Sequence, residues 1–205
     1  MADTSHLAGD AALTGGFADP VFDAQAVFSA VMNAFARPGT IVDLAGRTQP
    51  PRPVPEAAGA VLATLADADT PVFLDEAAAG GAMAAWLGFH TGAPVVAEPA
   101  DGRYALICDP RAMPPLGRFA LGTDAYPDRS TTLILCLPSL TGDAGLTLAG
   151  PGIETTATIA PQGLPAGFLA DWRSNCAKFP RGIDMILCAG SRALALPRTT
   201  RIEEA

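Results

Sequence analysis

The chain has 205 residues, of which 49% are hydrophobic and only 17% charged, and a formal net charge of −8. That length suits one domain with a real core, and the acidic balance excludes a broad face for nucleic acid or anionic membrane, which needs basic residues to neutralise phosphates. No run approaches the about eighteen apolar residues of a membrane span, and the opening MADTSHLAGDAALTGG lacks the basic and apolar regions of a signal peptide, so a soluble, cytoplasmic protein is expected.

Residues 1–18 are small, polar and Gly-rich and read as a flexible N-terminal segment, with a single α/β domain over 19–205. Asp19-Pro20 is a helix start signal, an N-cap residue followed by Pro at the first helical position. Phe28, Val31, Met32 and Phe35 follow helical spacing and form the expected buried stripe, and the helix stops at Arg37-Pro38-Gly39. A short strand is expected at 41–44, and the Pro-rich stretch 46–55 reads as a connection.

A second helix is expected over 55–67, with Ala58, Val61, Leu62 and Leu65 on one face, then a strand at 71–74 and a third helix over 81–90. Tyr104 to Cys108 and residues 131–137 read as strands, with a short helix or turn after Pro110. Residues 146–148 and 154–159 suggest a hairpin-like pair around Gly150-Pro151-Gly152, and a helix follows over 165–175. The last two strands, 184–188 and 193–196, face each other across the turn signal Gly190-Ser191. Alternating helices and strands, several of the strands continuous apolar runs, predict an α/β fold: a single three-layer domain with a mixed sheet covered by helices.

Candidate chemistry is sparse. The sequence has no G-x-G-x-x-G, Walker, G-x-S-x-G or H-E-x-x-H motif. Its two histidines are His6, in the N-terminal segment, and His90, at a helix end where the ring either serves a site or suits the dipole. Cys108, Cys136, Cys176 and Cys188 are widely spaced, without a C-x-x-C pair, so neither a disulfide framework nor a metal site is expected. Cys108, Cys136 and Cys188 lie in apolar runs, where a free cysteine behaves as a small hydrophobe.

Besides His90, three places are candidates for anion or ligand binding. Gly150 and Gly152 either offer backbone N–H groups to an anion or make a tight turn. Arg37 either binds an anion or caps its helix. Arg198, Thr199 and Thr200 follow a buried strand directly, where α/β ligand sites gather, and a subunit contact is the alternative. Asp184 interrupts an apolar strand and needs a partner, for which Arg198 or Arg201 is available, as a structural pair. The low charge has two readings: a surface partly covered by partners, or a hydrophobic count inflated by Ala.

Phe179-Pro180-Arg181-Gly182-Ile183-Asp184 followed by Leu196-Pro197-Arg198-Thr199-Thr200 resembles the C-terminal signature of the PhnH family of phosphonate-metabolism proteins. Ala36-Arg37-Pro38-Gly39-Thr40, Phe89-His90-Thr91-Gly92-Ala93-Pro94 and Leu148-Ala149-Gly150-Pro151-Gly152-Ile153 agree in order, and the match spans residues 20–204. Tyr126-Pro127-Asp128 departs from it, with Asp where many similar proteins have Glu. The resemblance implies a subunit of the carbon–phosphorus lyase core complex, partnered by its G, I and J subunits. That complex forms ribose 1-methylphosphonate 5-triphosphate from ATP and methylphosphonate. It also implies a homodimer and a fold related to pyridoxal-phosphate-dependent transferases. Lys178 is the only lysine, and similar proteins do not keep a lysine there, so no cofactor is expected.

Overall fold

The computed structural model describes residues 12–205. His6 and the first part of the N-terminal segment lie outside the described residues. Of the segment's remainder, Ala12 is buried, the Thr14 carbonyl accepts from Trp86 Nε1 at 3.0 Å, and the Gly15 carbonyl accepts from Gln49 N–H at 2.7 Å. A buried indole N–H needs an acceptor, and this stretch of chain supplies it.

Helix α1 (Pro20–Ala36) starts where the sequence signals it: the Asp19 side chain accepts from Phe22 N–H, and Arg37 closes the end with its N–H on Asn33 O. Its buried stripe is Val27, Val31 and Ala34, set against the second helix and the strand Arg192–Leu196. The expected stripe is therefore corrected: Val31 is buried, Phe35 is partly buried, and Phe28 and Met32 are each 49% exposed. The helix rests on its smaller side chains, which allow close approach, and carries large apolar ones outward.

The other helices are α2 (Glu56–Leu65), α3 (Glu76–Ala79), α4 (Met83–Thr91) and α5 (Phe168–Cys176). The one-turn α3 was not expected from the sequence; it forms because the Asp75 side chain caps it by accepting from Ala78 N–H.

The strands are β1 (Val42–Asp43), β2 (Val72–Leu74), β3 (Val95–Val96), β4 (Tyr104–Ile107), β5 (Thr132–Cys136), β6 (Leu146–Ala149), β7 (Ala157–Ile159), β8 (Asp184–Ala189), β9 (Arg192–Leu196) and β10 (Arg201–Glu204). Seven form a mixed sheet in the order β1-β9-β8-β5-β4-β2-β3. From β3 to β8 all neighbours are parallel, and β9 runs against both β8 and β1. The hairpin-like pair expected around Gly150 is β6 and β7, which β10 completes as a separate antiparallel sheet in the order β10-β6-β7.

Alternation along the central strands builds a core on each face. Leu74, Leu106, Ile134 and Ile186 pack with Val27, Val61, Leu62 and Trp86 from α1, α2 and α4. Ile107, Leu133, Leu135, Met185 and Leu187 pack with Phe168 and Trp172 of α5 and with Leu148, Ile159 and Ile202 of the small sheet. Burial on both faces explains why these strands read as unbroken apolar runs. The architecture is mixed α/β, a large sheet between two covering layers.

Val31→Ala is expected to cost about 2 kcal/mol and Phe28→Ala under about 1 kcal/mol in urea unfolding of the dilute isolated chain. The reverse order would restore the stripe expected from the sequence.

Candidate functional site

The sheet's antiparallel turn from β8 to β9 returns the chain so that Pro197-Arg198 lies beside Asp184. The Arg198 backbone N–H and Nε both donate to Asp184 Oδ1, at 2.8 and 3.1 Å. Nη2 donates to Asp184 Oδ2 and, at 2.7 Å, to Ser130 Oγ. Nη1 donates to the carbonyls of Pro127 at 3.0 Å and Pro180 at 3.2 Å. A guanidinium has five N–H groups, so these contacts use all of them. The pair is largely buried, with side-chain exposures of 12% and 23%. Of the two arginines the sequence offered to Asp184, Arg198 is the partner, and it serves as a tie between β8, β9 and the chain at 127–130. An anion at Arg198 would have to displace an acceptor already in place.

The tie fixes where residues 199–201 leave the sheet. Thr200 N–H donates to Pro197 O at 2.8 Å, and the Thr200 carbonyl accepts from Trp172 Nε1 at 2.8 Å and Cys176 Sγ at 3.4 Å. Its Oγ1 is buried without a partner. The Gly150-Pro151-Gly152 turn packs against the same backbone: a Cβ on Gly150 would lie 2.9 Å from Thr199 O. Gly152 has φ +82°, and a Cβ there would overlap Ala36 O and stand 3.0 Å from Pro38 Cδ. Close packing between the 199–200 segment and the end of α1 thus accounts for both glycines. Ile153 N–H closes the turn on Gly150 O at 3.2 Å. Arg37 sits at that end of α1, exposed.

Beside this junction opens a cleft of about 510 Å³, lined by Pro151, Arg173, Cys176, Phe179, Arg198, Thr199 and Arg201, among others. Its lining contains three arginines and no carboxylate. Arg173 and Arg201 form no ion pair among the described residues. Burial pushes the Cys176 thiol up, and the Arg201 charge opposes that shift. Arg-rich concavities suit planar bidentate contact with phosphate-type oxyanions. Thr199 and Arg198 were singled out from the sequence. Arg173 was not, because only the fold brings the last turn of α5 beside residues 198–201.

His90 lies elsewhere, on α4. Its ring centroid is 4.7 Å from that of Trp86 and 4.9 Å from that of Phe89, and its Nε2 is 3.3 Å from Thr14 O. These contacts fit the structural alternative and do not bring it to the arginine cleft.

A second cleft, of about 580 Å³, lies between the C-terminal ends of β2 and β4 and is lined by Phe73, Asp75, Glu76, Asp109 and neighbours. It occupies the switch point where β2 leads outward to β3 while β4 leads inward to β5. Asp75 spans it, accepting from Ala78, Cys108 and Asp109 N–H groups at 2.8 to 2.9 Å. Nothing local to residue 75 signals Asp75, whose role depends on two strands meeting.

No group of three metal-ligating side chains is placed to hold a metal among the described residues. The residues also do not fit pyridoxal phosphate, which requires a lysine for its Schiff base. Lys178 Nζ donates to Ser174 O at 3.0 Å, at the end of α5, and lines neither cleft.

Fold and site together define a mixed α/β protein with an arginine-lined cleft at the exit of an antiparallel strand. The family described as "Bacterial phosphonate metabolism protein (PhnH)" matches residues 15–203, and the chain belongs to that family. It is 49% identical over 190 residues to the "Alpha-D-ribose 1-methylphosphonate 5-triphosphate synthase subunit PhnH" of Rhizobium meliloti (strain 1021), covering 93% of this chain and 95% of that protein. It is 29% identical over 180 residues to the "Putative C-P lyase subunit protein HtxG" of Stutzerimonas stutzeri, covering 87% of this chain and 85% of that one.

Asp184→Ala strands the Arg198 charge in a buried place. A stability loss of roughly 3 kcal/mol is expected in denaturant unfolding, and Arg198→Lys is expected to fall short of wild type because an ammonium cannot reproduce the planar fork.

Proposed function

We propose that this chain is a subunit of a ribose 1-methylphosphonate 5-triphosphate synthase in the carbon–phosphorus lyase pathway of phosphonate breakdown. The observation that carries the reading is the 49% identity, over nearly the whole of both chains, with the Rhizobium subunit of that name. The chain acts in the cytoplasm as one folded domain, residues 19–205, and as a homodimer within a complex with the G, I and J subunits. Its relation to the pyridoxal-phosphate transferases is one of architecture, without the cofactor.

Its share in the work is to shape the complex and a ligand cleft. Val21, Phe22, Phe28 and Met32 leave apolar surface on α1, which suits a chain used in assembly. The arginine cleft suits the anionic end of a phosphonate or of a triphosphate. A second reading, in which the chain lends residues directly to the transfer, is favoured by Arg173 and Arg201 standing without ion pairs among the described residues.

Co-expression with the other subunits tests the assembly: the chain should co-purify, and Phe28→Glu with Met32→Glu should lower recovery while the isolated fold persists. Absence of co-purification by the unaltered chain would overturn the reading. The cleft is tested by calorimetry with inorganic triphosphate, where Arg173→Ala with Arg201→Ala should weaken binding at least roughly tenfold, given the strength of charge-assisted hydrogen bonds.

A further inference from the structure

Three cysteines far apart in sequence stand side by side at the C-terminal edge of the sheet. The β4–β5 register pairs Ile107 with Leu135, which sets Cys108 next to Cys136, and the β5–β8 register pairs Cys136 with Cys188. Cys136 and Cys188 belong to the core on the helical face, with Cys108 packed against it. Within the trio the sulfurs of Cys108 and Cys136 are in contact, 3.5 Å apart. Cys188 is fully buried, Cys136 is 8% exposed, and Cys108 is partly exposed at the rim.

We propose that Cys108 and Cys136 form a reversible dithiol–disulfide couple, a redox modification site one residue from the Asp75–Asp109 crevice. Adjacent strands lie about 4.8 Å apart, and disulfides accept Cα separations of about 4.4–6.8 Å, so the bond needs side-chain rotation and little backbone movement. Cys108 is the thiol that meets the oxidant, because it alone of the trio is more than marginally exposed. As thiolate it attacks one oxygen of a hydroperoxide, giving a sulfenic acid and releasing water or an alcohol. The Cys136 sulfur then attacks the Cys108 sulfur and expels the sulfenic oxygen as water. Two thiols lose two electrons and two protons, and the peroxide is reduced by the same two electrons. A low-molecular-weight disulfide serves equally, through a mixed disulfide on Cys108.

The hydrogen bond with the Cys108 sulfur, then burial and the neighbouring Cys188, push the Cys136 thiol well up, which leaves the first encounter with the oxidant to the more exposed Cys108. This order fits the ladder of thiol oxidation, in which an exposed sulfenic acid is captured by a nearby resolving cysteine before over-oxidation. The backbone ties the couple to the crevice: Cys108 and Asp109 N–H groups both donate to Asp75 Oδ2 at 2.8 Å. Drawing the two sulfurs from contact to a bond of about 2 Å reorients the side chain of the residue whose backbone N–H holds Asp75.

The full chain, treated with hydrogen peroxide or with oxidised glutathione, is alkylated under denaturing conditions and digested with trypsin. A peptide pair 104–111 joined to 130–173, lighter by two hydrogens than the free peptides and separated by dithiothreitol, is the expected product. Each of these peptides contains one cysteine. Cys108→Ser should abolish the link, and Cys136→Ser should leave Cys108 as a sulfenic acid or a glutathione adduct. Cys176→Ser should leave the link between 104–111 and 130–173 in place. Recovery of Cys108 and Cys136 as free alkylated thiols, linkage of Cys136 to Cys188, or Cys108 driven to sulfinic acid in the unaltered chain would overturn the proposal.

Discussion

The Arg198 guanidinium, with every N–H group committed, is the constraint on which the candidate site depends. It binds the start of β8 through Asp184, the end of β9 through its own backbone, and the chain at Pro127 and Ser130. Removing two charges from water is unfavourable unless each lone pair and proton finds a partner, and here the partners come from two separate stretches of sequence, 127–130 and 180–184. The tie therefore sets the direction in which residues 199–201 leave the sheet. That direction brings Thr200 under Trp172 and Arg201 beside Cys176, and the cleft is the space left between them.

This arrangement separates two roles that a sequence of arginines leaves merged. An arginine whose five donors face protein acceptors acts as a fastener, whereas one with free donors on a concave surface can meet a ligand. Arg198 is of the first kind, and Arg173 and Arg201 line the same cleft as candidates for the second. The chain as a whole is strongly acidic, yet this concavity is locally basic. Charges of one sign gathered in a low-dielectric cleft focus the field there, so the global balance excludes extended polyanions without excluding a small one.

Much of the fold was legible because its signals are local. Asp19-Pro20 marks a helix start by its own chemistry, and residues 131–137 and 184–188 announce a sheet buried on both faces by being apolar throughout. The two-residue β3 and the one-turn α3 were not legible, since each exists through a neighbour: β3 by pairing with β2, α3 by the Asp75 cap. The stripe on α1 misled for a related reason. Periodicity finds the apolar faces of a helix, but Val27, Val31 and Ala34 are chosen over Phe28 and Met32 by how closely α2 and β9 approach. In the cleft, Thr199 and Arg198 could be read from their place after a strand, whereas Gly150 and Gly152 are accounted for by close packing of their turn. Arg173 and Asp75 could not, because proximity across helices and strands makes them relevant.

The large apolar side chains left outward on α1 bear on the division of labour. A monomeric enzyme of this size has little reason to expose Val21, Phe22, Phe28 and Met32 along one helix while spending alanines on its interior. The chain instead keeps its small residues inward, so that α1 packs closely, and turns its bulky ones to where a partner surface would cover them. The arginine cleft lies at the other end of the same logic: Gly152 meets the last turn of α1 at Ala36, so the helix that carries the apolar surface also walls the turn from which Pro151 reaches the cleft. The exposed apolar surface of α1 and residues 199–201 are in this way mechanically adjacent, so whatever covers the helix bears on the turn beside the cleft.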